Sequence, residues 1–145
     1  MADNVTITGI FPYQKQSKKT LPLFVAKVSA GFPSPAEDFI EHKLDLNEFL
    51  IKHPSATFFV RVEGNSMVNA GIHSGDILIV DRALETVSNK IIIAVLNGEL
   101  TVKRVLKRLG KLFLVPENPS YKSMEIIDGM EFEVWGVVTH VIHSL

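Results

Sequence analysis

The chain has 145 residues, carries a formal net charge of −1, is 46% hydrophobic and contains no cysteine. This length and apolar content predict one compact domain with a tail and exclude wholesale disorder. The lack of cysteine excludes disulfides, zinc ribbons, iron–sulfur sites and a thiol nucleophile, and the near-neutral charge argues against binding nucleic acid mainly through charge. No apolar run approaches the ~18 residues of a membrane span, so we expect a soluble cytoplasmic protein.

The first thirty residues differ from the others in charge. They hold four lysines and one aspartate, which leaves them at +3 and the remaining residues at −4. Pro12 and Pro22 favour extended backbone, and periodicity is weak. We therefore predict a flexible arm, residues 1–30, and a body, residues 31–145. An export signal is disfavoured because Pro22 and Lys27 interrupt the apolar stretch, which falls short of the ~7–15 residues that such signals need.

The body is predicted to be β-rich after one short helix. Asp45 to Glu48 form a capping-box pattern that starts the helix, and His53-Pro54 ends it. β-branched and aromatic runs bounded by turn residues then predict strands, with a bulge at Gly136 in the last of them. The predicted fold class is a small, mainly β, mostly antiparallel domain with one short helix and an extended N-terminal arm. The predicted strands are Thr57–Glu63, Ile77–Asp81, Lys90–Leu96, Glu99–Leu106, Leu112–Val115, Met124–Ile127 and Phe132–Ile142.

One hairpin has a register that the sequence fixes. Asn97-Gly98 supplies the positive φ angles of a two-residue type I′ turn, and this loop places Lys103 opposite Ile92. Lys103 then lies on an apolar face, where burial would lower its pKa toward the ~7–8 of a useful general base. Arg104 points to the other face and cannot act as a base, because guanidinium does not deprotonate in proteins. The alternative interpretation is that Lys103 extends its ammonium group to water from the edge of the sheet, and the position of Lys103 in the strand alone favours this alternative.

Ser66 follows a predicted strand in the sequence Glu63-Gly64-Asn65-Ser66-Met67. A serine at such a junction, beside a glycine that permits close backbone approach, is a candidate nucleophile. Such a serine more often caps a turn. The small pair Ala30-Gly31 supplies a bond that a protease could reach. The combination of serine, lysine and this bond favours the catalytic interpretation.

The histidines and carboxylates predict no further site. Asp76 and Asp81 lie five residues apart and face opposite ways on a regular strand, so they make a poor acid–base pair. His140 and His143 could share a metal only if their strand bulged. Surface histidines are the favoured interpretation, and no metal or other cofactor is predicted. The five histidines are His42, His53, His73, His140 and His143.

Together these motifs resemble the LexA/UmuD-type self-cleaving proteins, whose serine–lysine domain cuts its own N-terminal segment. The likeness runs from about residue 21 to residue 141 and is greatest to the UmuD branch, since no helix-turn-helix segment precedes the bond. Upstream of residue 21 nothing matches, and Ala30 stands where the branch often has cysteine. The matching pieces are Ala30-Gly31, Gly64-Asn65-Ser66-Met67, Gly75-Asp76-Ile77-Leu78 and Leu100-Thr101-Val102-Lys103; Gly31-Phe32-Pro33-Ser34-Pro35 and His53-Pro54-Ser55-Ala56-Thr57 carry the likeness to the branch.

The resemblance implies a mechanism and a set of partners. Neutral Lys103 is the general base, Ser66 is the nucleophile that attacks the Ala30 carbonyl, and backbone N–H groups of Asn65 and Ser66 form the oxyanion hole. Gly31 becomes the new N-terminus. A RecA filament on single-stranded DNA stimulates the cut, and the trimmed homodimer serves an error-prone translesion DNA polymerase in the SOS response. No sequence-specific DNA binding and no membrane association are implied.

Two other functions remain open from the sequence. Within the same family, the chain could be a phage-type or stand-alone regulator. In a different class, it could be a non-enzymatic β-domain interaction module in which Ser66 and Lys103 are structural.

Overall fold

The computed structural model describes residues 5–13, 20–24 and 40–145. The chain divides into two compact units, one made of residues 1–13 and 53–145 and the other of residues 14–52. The predicted boundary between residues 30 and 31 lies outside the described ranges.

The described residues form ten strands and one α-helix. Eight of the strands build one sheet in the first unit, in the order β1-β4-β5-β10-β6-β7-β8-β9, and every neighbouring pair is antiparallel. The predicted fold class, a mainly β and mostly antiparallel domain, is therefore confirmed. The elements are β1 Thr6–Pro12, β2 Thr20–Phe24, β3 Ile40–Asp45, α1 Leu46–Leu50, β4 Thr57–Glu63, β5 Ile77–Asp81, β6 Ile91–Leu96, β7 Glu99–Arg108, β8 Lys111–Val115, β9 Met124–Ile126 and β10 Phe132–Ile142.

The second unit contains the antiparallel pair β2 and β3, followed by helix α1. The Asp45 carboxylate accepts a hydrogen bond from the backbone N–H of Asn47 at 2.9 Å, as an N-cap residue does. The predicted start of the helix is thus confirmed, and the helix ends before His53-Pro54, as the sequence predicted. Within the described ranges, no helix has the length and apolarity needed to cross a membrane.

Hairpin β6–β7 has the predicted register, with Ile92 paired to Lys103. Both faces of this hairpin are covered by apolar side chains, which explains why β6 reads as an unbroken hydrophobic run. One core cluster includes Val60, Val62, Met67, Leu78, Ile93 and Val102, and the other consists of Ile92, Ala94, Val105, Leu114 and Val137. The packing on both sides fixes the position of β7 and of the lysine that it carries.

The bulge at Gly136 is confirmed, since the register of β10 against β6 shifts between Val134 and Gly136. A Cβ atom at Gly136 would lie 2.7 Å from a methyl group of Val80 and 3.2 Å from the backbone oxygen of Asp81. Glycine is needed here because the backbone of β10 passes so close to β5. A second register shift in β10, between Val138 and His140, was not predicted.

Strand β1 was not predicted either, because residues 1–30 were expected to form a single flexible arm. Residues 6–12 pair with β4 along the whole strand. The signal was present but short: buried Val5 and half-buried Ile7 alternate with exposed Thr6 and Thr8. At the next inward position stands Gly9, which has no apolar side chain, and the register against β4 shifts between Ile7 and Gly9.

Candidate active site

The two residues that the sequence singled out, Ser66 and Lys103, lie together in the structure. Ser66 is in the turn after β4, and Lys103 is in the middle of β7. The Lys103 Nζ donates a hydrogen bond to the Ser66 Oγ at 3.3 Å, although the residues are 37 positions apart. Ser66 is fully buried. The arrangement therefore provides a hydroxyl and an amine within proton-transfer distance, away from bulk water.

Burial also changes the acidity of the lysine. Desolvation lowers the pKa of Lys103 from 10.5 to about 8, because removal from water penalises the charged ammonium. At pH 7 about a tenth of the lysine side chains are then neutral and able to accept the serine proton.

The turn that carries Ser66 is hydrogen-bonded to a segment that follows β8 and is distant in the sequence. The Asn118 side-chain amide donates to the Asn65 backbone oxygen at 2.9 Å, and the Asn69 N–H donates to the Glu117 backbone oxygen at 2.8 Å. These two bonds lie on either side of Ser66 in the sequence. They hold the nucleophile's turn in place, and neither bond was predicted from the sequence.

Arg104 reinforces the same segment from the opposite face of β7, the face that the hairpin register predicted. Its Nε donates to the Glu117 carboxylate, and its Nη1 donates to the backbone oxygen of Asn89. Residues 117 and 118 therefore connect the lysine's strand to the serine's turn. In the sequence, Glu117-Asn118-Pro119 resembles an ordinary turn, so only the long-range pairing shows its role.

Val5 is the third group at the nucleophile. Its backbone N–H donates to the Ser66 Oγ at 2.9 Å. The Val5 residue is 3% exposed and belongs to the same core cluster as Met67, the neighbour of Ser66. A backbone donor carries no side-chain signature, so nothing in the sequence marks Val5 as a partner of Ser66.

A groove borders the candidate base. It has a volume of about 330 Å³ and places mixed polar and apolar side chains beside Lys103, a combination typical of ligand sites. The groove is lined by Leu96, Glu99, Thr101, Lys103, Leu114, Tyr121, Lys122 and Met124.

The other predicted site residues stay predictions. The bond Ala30-Gly31 lies outside the described ranges. The backbone N–H groups of Asn65 and Ser66 belong to the turn described above, and their role as an oxyanion hole is not tested by the geometry.

Comparisons with known proteins place most of the chain within one family. Residues 22–139 match the Peptidase S24-like family. The chain is 45% identical over 135 residues to protein SamA of Salmonella typhimurium, an alignment that covers 93% of this chain and 94% of SamA. It is 46% identical over 123 residues to protein ImpA of Shigella flexneri, covering 84% of this chain and 83% of ImpA. It is 35% identical over 128 residues to the LexA repressor of Paracidovorax citrulli, covering 88% of this chain and 56% of the repressor.

The antiparallel fold and these matches define a protein of the serine peptidase class. More particularly, the chain belongs to the Peptidase S24-like family. The resemblance to the UmuD-type branch of the LexA/UmuD proteins is confirmed.

Proposed function

We propose that this protein is a self-cleaving serine peptidase of the SOS DNA-damage response, which cuts its own Ala30-Gly31 bond. The observation that carries the proposal is the Ser66–Lys103 pair, with 3.3 Å between Oγ and Nζ and a lysine pKa lowered to about 8. A buried amine of this kind can act as a general base near neutral pH, and a serine hydroxyl needs such a base to become a nucleophile.

The reaction then has two halves. Neutral Lys103 takes the proton from the Ser66 Oγ, which attacks the Ala30 carbonyl carbon, while backbone N–H groups of Asn65 and Ser66 stabilise the oxyanion. The C–N bond breaks, the Lys103 ammonium returns the proton to the Gly31 amine, and residues 1–30 remain esterified to Ser66. Water, deprotonated by Lys103, hydrolyses the ester. No metal or other cofactor takes part in these steps.

The cellular setting is proposed from the UmuD-type resemblance. A RecA filament on single-stranded DNA stimulates the cut in the cytoplasm. The trimmed body, residues 31–145, forms a homodimer and serves as accessory subunit of an error-prone translesion DNA polymerase. The protein itself does not read a DNA sequence and does not bind a membrane.

The test is incubation of the purified full chain at alkaline pH, read by intact mass under denaturing conditions. We expect slow appearance of a 115-residue fragment that begins at Gly31. The variants Ser66→Ala and Lys103→Ala should stay intact, whereas Lys107→Ala, which changes an exposed lysine on the same strand, should be cut like the parent.

Two results would refute the proposal. If Ser66→Ala is cut as fast as the parent, another protease is responsible, as it would be for an export-processed protein. If the parent stays intact even with a RecA filament, the non-enzymatic module is the better description, and the Ser66–Lys103 pair is structural.

A further inference from the structure

Strand β1 binds the body in the way that an extended peptide binds a receptor. Within the described ranges, its backbone pairs with one partner, β4, at the end of the sheet. Just before the strand, Val5 donates its N–H to the Ser66 Oγ at 2.9 Å. The segment therefore covers both a sheet edge and the candidate nucleophile.

The side chains of this segment divide into an inward and an outward set. Val5 is buried in the core cluster with Val62 and Met67, and Ile7 packs against the same cluster. Thr6 and Thr8 are exposed. Main-chain pairing together with alternate apolar anchors is the pattern by which proteins bind a peptide as an added strand.

We propose that the edge of β4 and the surroundings of Ser66 form a binding surface for residues 5–12 of this chain, which stay bound as a separate peptide after the chain is cut downstream. All of these contacts are noncovalent, so a break at residues 30 and 31 removes none of them. The inference uses the proposed function only for the natural cut. With the peptide in place, the Ser66 Oγ keeps the hydrogen bond from the Val5 N–H after the cut.

The experiment cuts the chain in two independent ways. One sample is the parent after self-cleavage at alkaline pH. The other carries an inserted recognition sequence between Lys18 and Lys19 and is cut there by a sequence-specific protease. Denaturing mass spectrometry counts the fragments, and native mass spectrometry at a protein concentration of about 10 µM shows whether they remain together.

We expect two fragments under denaturing conditions and one complex under native conditions. Separate fragments in the native spectrum overturn the inference. Absence of self-cleavage together with retention after the protease cut refutes the proposed function and supports the binding surface, so the two failures are distinguishable.

A matched pair of variants tests which contacts hold the peptide. Ile7→Asn places an amide among the apolar anchors, whereas Thr6→Asn makes the same amide on the exposed side. We expect the fragment of Ile7→Asn to dissociate at least tenfold faster than the parent fragment, and that of Thr6→Asn at the parent rate. Equal dissociation of the two variants overturns the inference that the inward side chains anchor the segment.

A different observation supports a second inference, at the start of β5. His73, Asp76 and His143 each bring one ligand atom into a group whose members lie within 4.8 Å of one another. The Asp76 carboxylate is buried, and its oxygens lie 2.6 Å from the His143 Nδ1 and 3.8 Å from the His73 Nδ1. The pairing of Ile77 with Ile142 in the sheet brings the end of β10 to this carboxylate.

The geometry points to a divalent transition-metal site made of these three residues, with zinc as its most suitable ion. Tetrahedral zinc takes histidine nitrogens and carboxylate oxygens at ~2.0–2.2 Å, which places neighbouring ligand atoms roughly 3.3 Å apart. One Asp76 oxygen lies 2.6 Å from the His143 Nδ1 and the other lies 3.8 Å from the His73 Nδ1, one shorter and one longer than that value. The His73 backbone N–H, which donates to Asp76 at 2.7 Å, already orients the carboxylate. Both histidine side chains are about half exposed, so water can reach the group.

Zinc titration by isothermal calorimetry at neutral pH tests this site. We expect one equivalent of Zn²⁺ to bind the parent. Binding should weaken at least tenfold in His73→Gln and in His143→Gln, and should be unchanged in His140→Gln, an exposed histidine on the same strand end. The proposal is overturned if the parent binds no zinc, or if the three variants bind it equally well.

Discussion

Self-cleavage should depend on pH in a way that the burial of Lys103 determines. With a pKa of about 8, the neutral fraction of Lys103 is about 10% at pH 7 and about 90% at pH 9, so the cleavage rate should rise about tenfold between them. Below pH 7 it should fall about tenfold per unit, and above pH 9 it should level off. With the ordinary pKa of 10.5, only about 0.03% would be neutral at pH 7, so burial raises the neutral fraction at this pH about 300-fold.

The assay is a set of time courses at constant ionic strength, read by intact mass, with circular dichroism to verify that the fold persists at each pH. Ser66→Ala supplies the background, and Lys107→Ala is the matched control because it removes an exposed lysine from the same strand. A midpoint near the ordinary lysine pKa would show that the reacting lysine is not buried. A rate that keeps rising in proportion to hydroxide would show that no side chain limits the reaction. Either result refutes the reasoning.

Three further predictions concern stability and the serine's turn. Between pH 8 and 10.5, Lys103 is less protonated in the folded chain than in the unfolded chain, so the free energy of unfolding of the parent should rise with pH in this range. Lys103→Met should not show this rise. At pH 7, urea unfolding should show that Lys103→Met is more stable than the parent by about 1–2 kcal/mol. This is less than the free energy that corresponds to the whole lowering of the Lys103 pKa, because the side chain is partly exposed. A loss of stability in Lys103→Met would contradict this. Gly136→Ala should lower the unfolding free energy by about 1–3 kcal/mol, since its Cβ meets Val80 at 2.7 Å, and a change under about 0.5 kcal/mol would contradict it. Asn118→Ala removes the 2.9 Å bond to Asn65 and should slow self-cleavage several-fold with an unchanged pH midpoint, whereas a shifted midpoint would place its effect on Lys103.

The strands from β4 onward could be predicted because their signals are local. β-branched runs and turn residues mark β4 and β5, and Asn97-Gly98 fixes the register that pairs Ile92 with Lys103. The approach of Ser66 to Lys103 depended on the family resemblance, since no local pattern places a turn after β4 beside the middle of β7. The confirmed register explains only why the lysine is on an apolar face.

The supports of the site could not be predicted, because each depends on contacts between distant segments. Asn118 acts through a bond to the backbone of Asn65, 53 positions away. Val5 acts through its own N–H, which any residue except proline would offer. Strand β1 was missed for a related reason: one face of a short edge strand carries too few apolar residues to stand out from the basic, proline-containing stretch around it.

Because β1 lies at the end of the sheet, a shortened protein that is expressed directly should behave differently from one that is produced by cleavage of the full chain. A chain synthesised from residue 31 onward would have the same sequence as the proposed cleavage product but would never have had its first strand. Its β4 would present a row of unpaired N–H and C=O groups, together with the apolar surface around Met67 that Val5 otherwise covers. Such edges recruit strands from other molecules, so material expressed in the shortened form should oligomerise or precipitate more readily than material matured from the full-length chain.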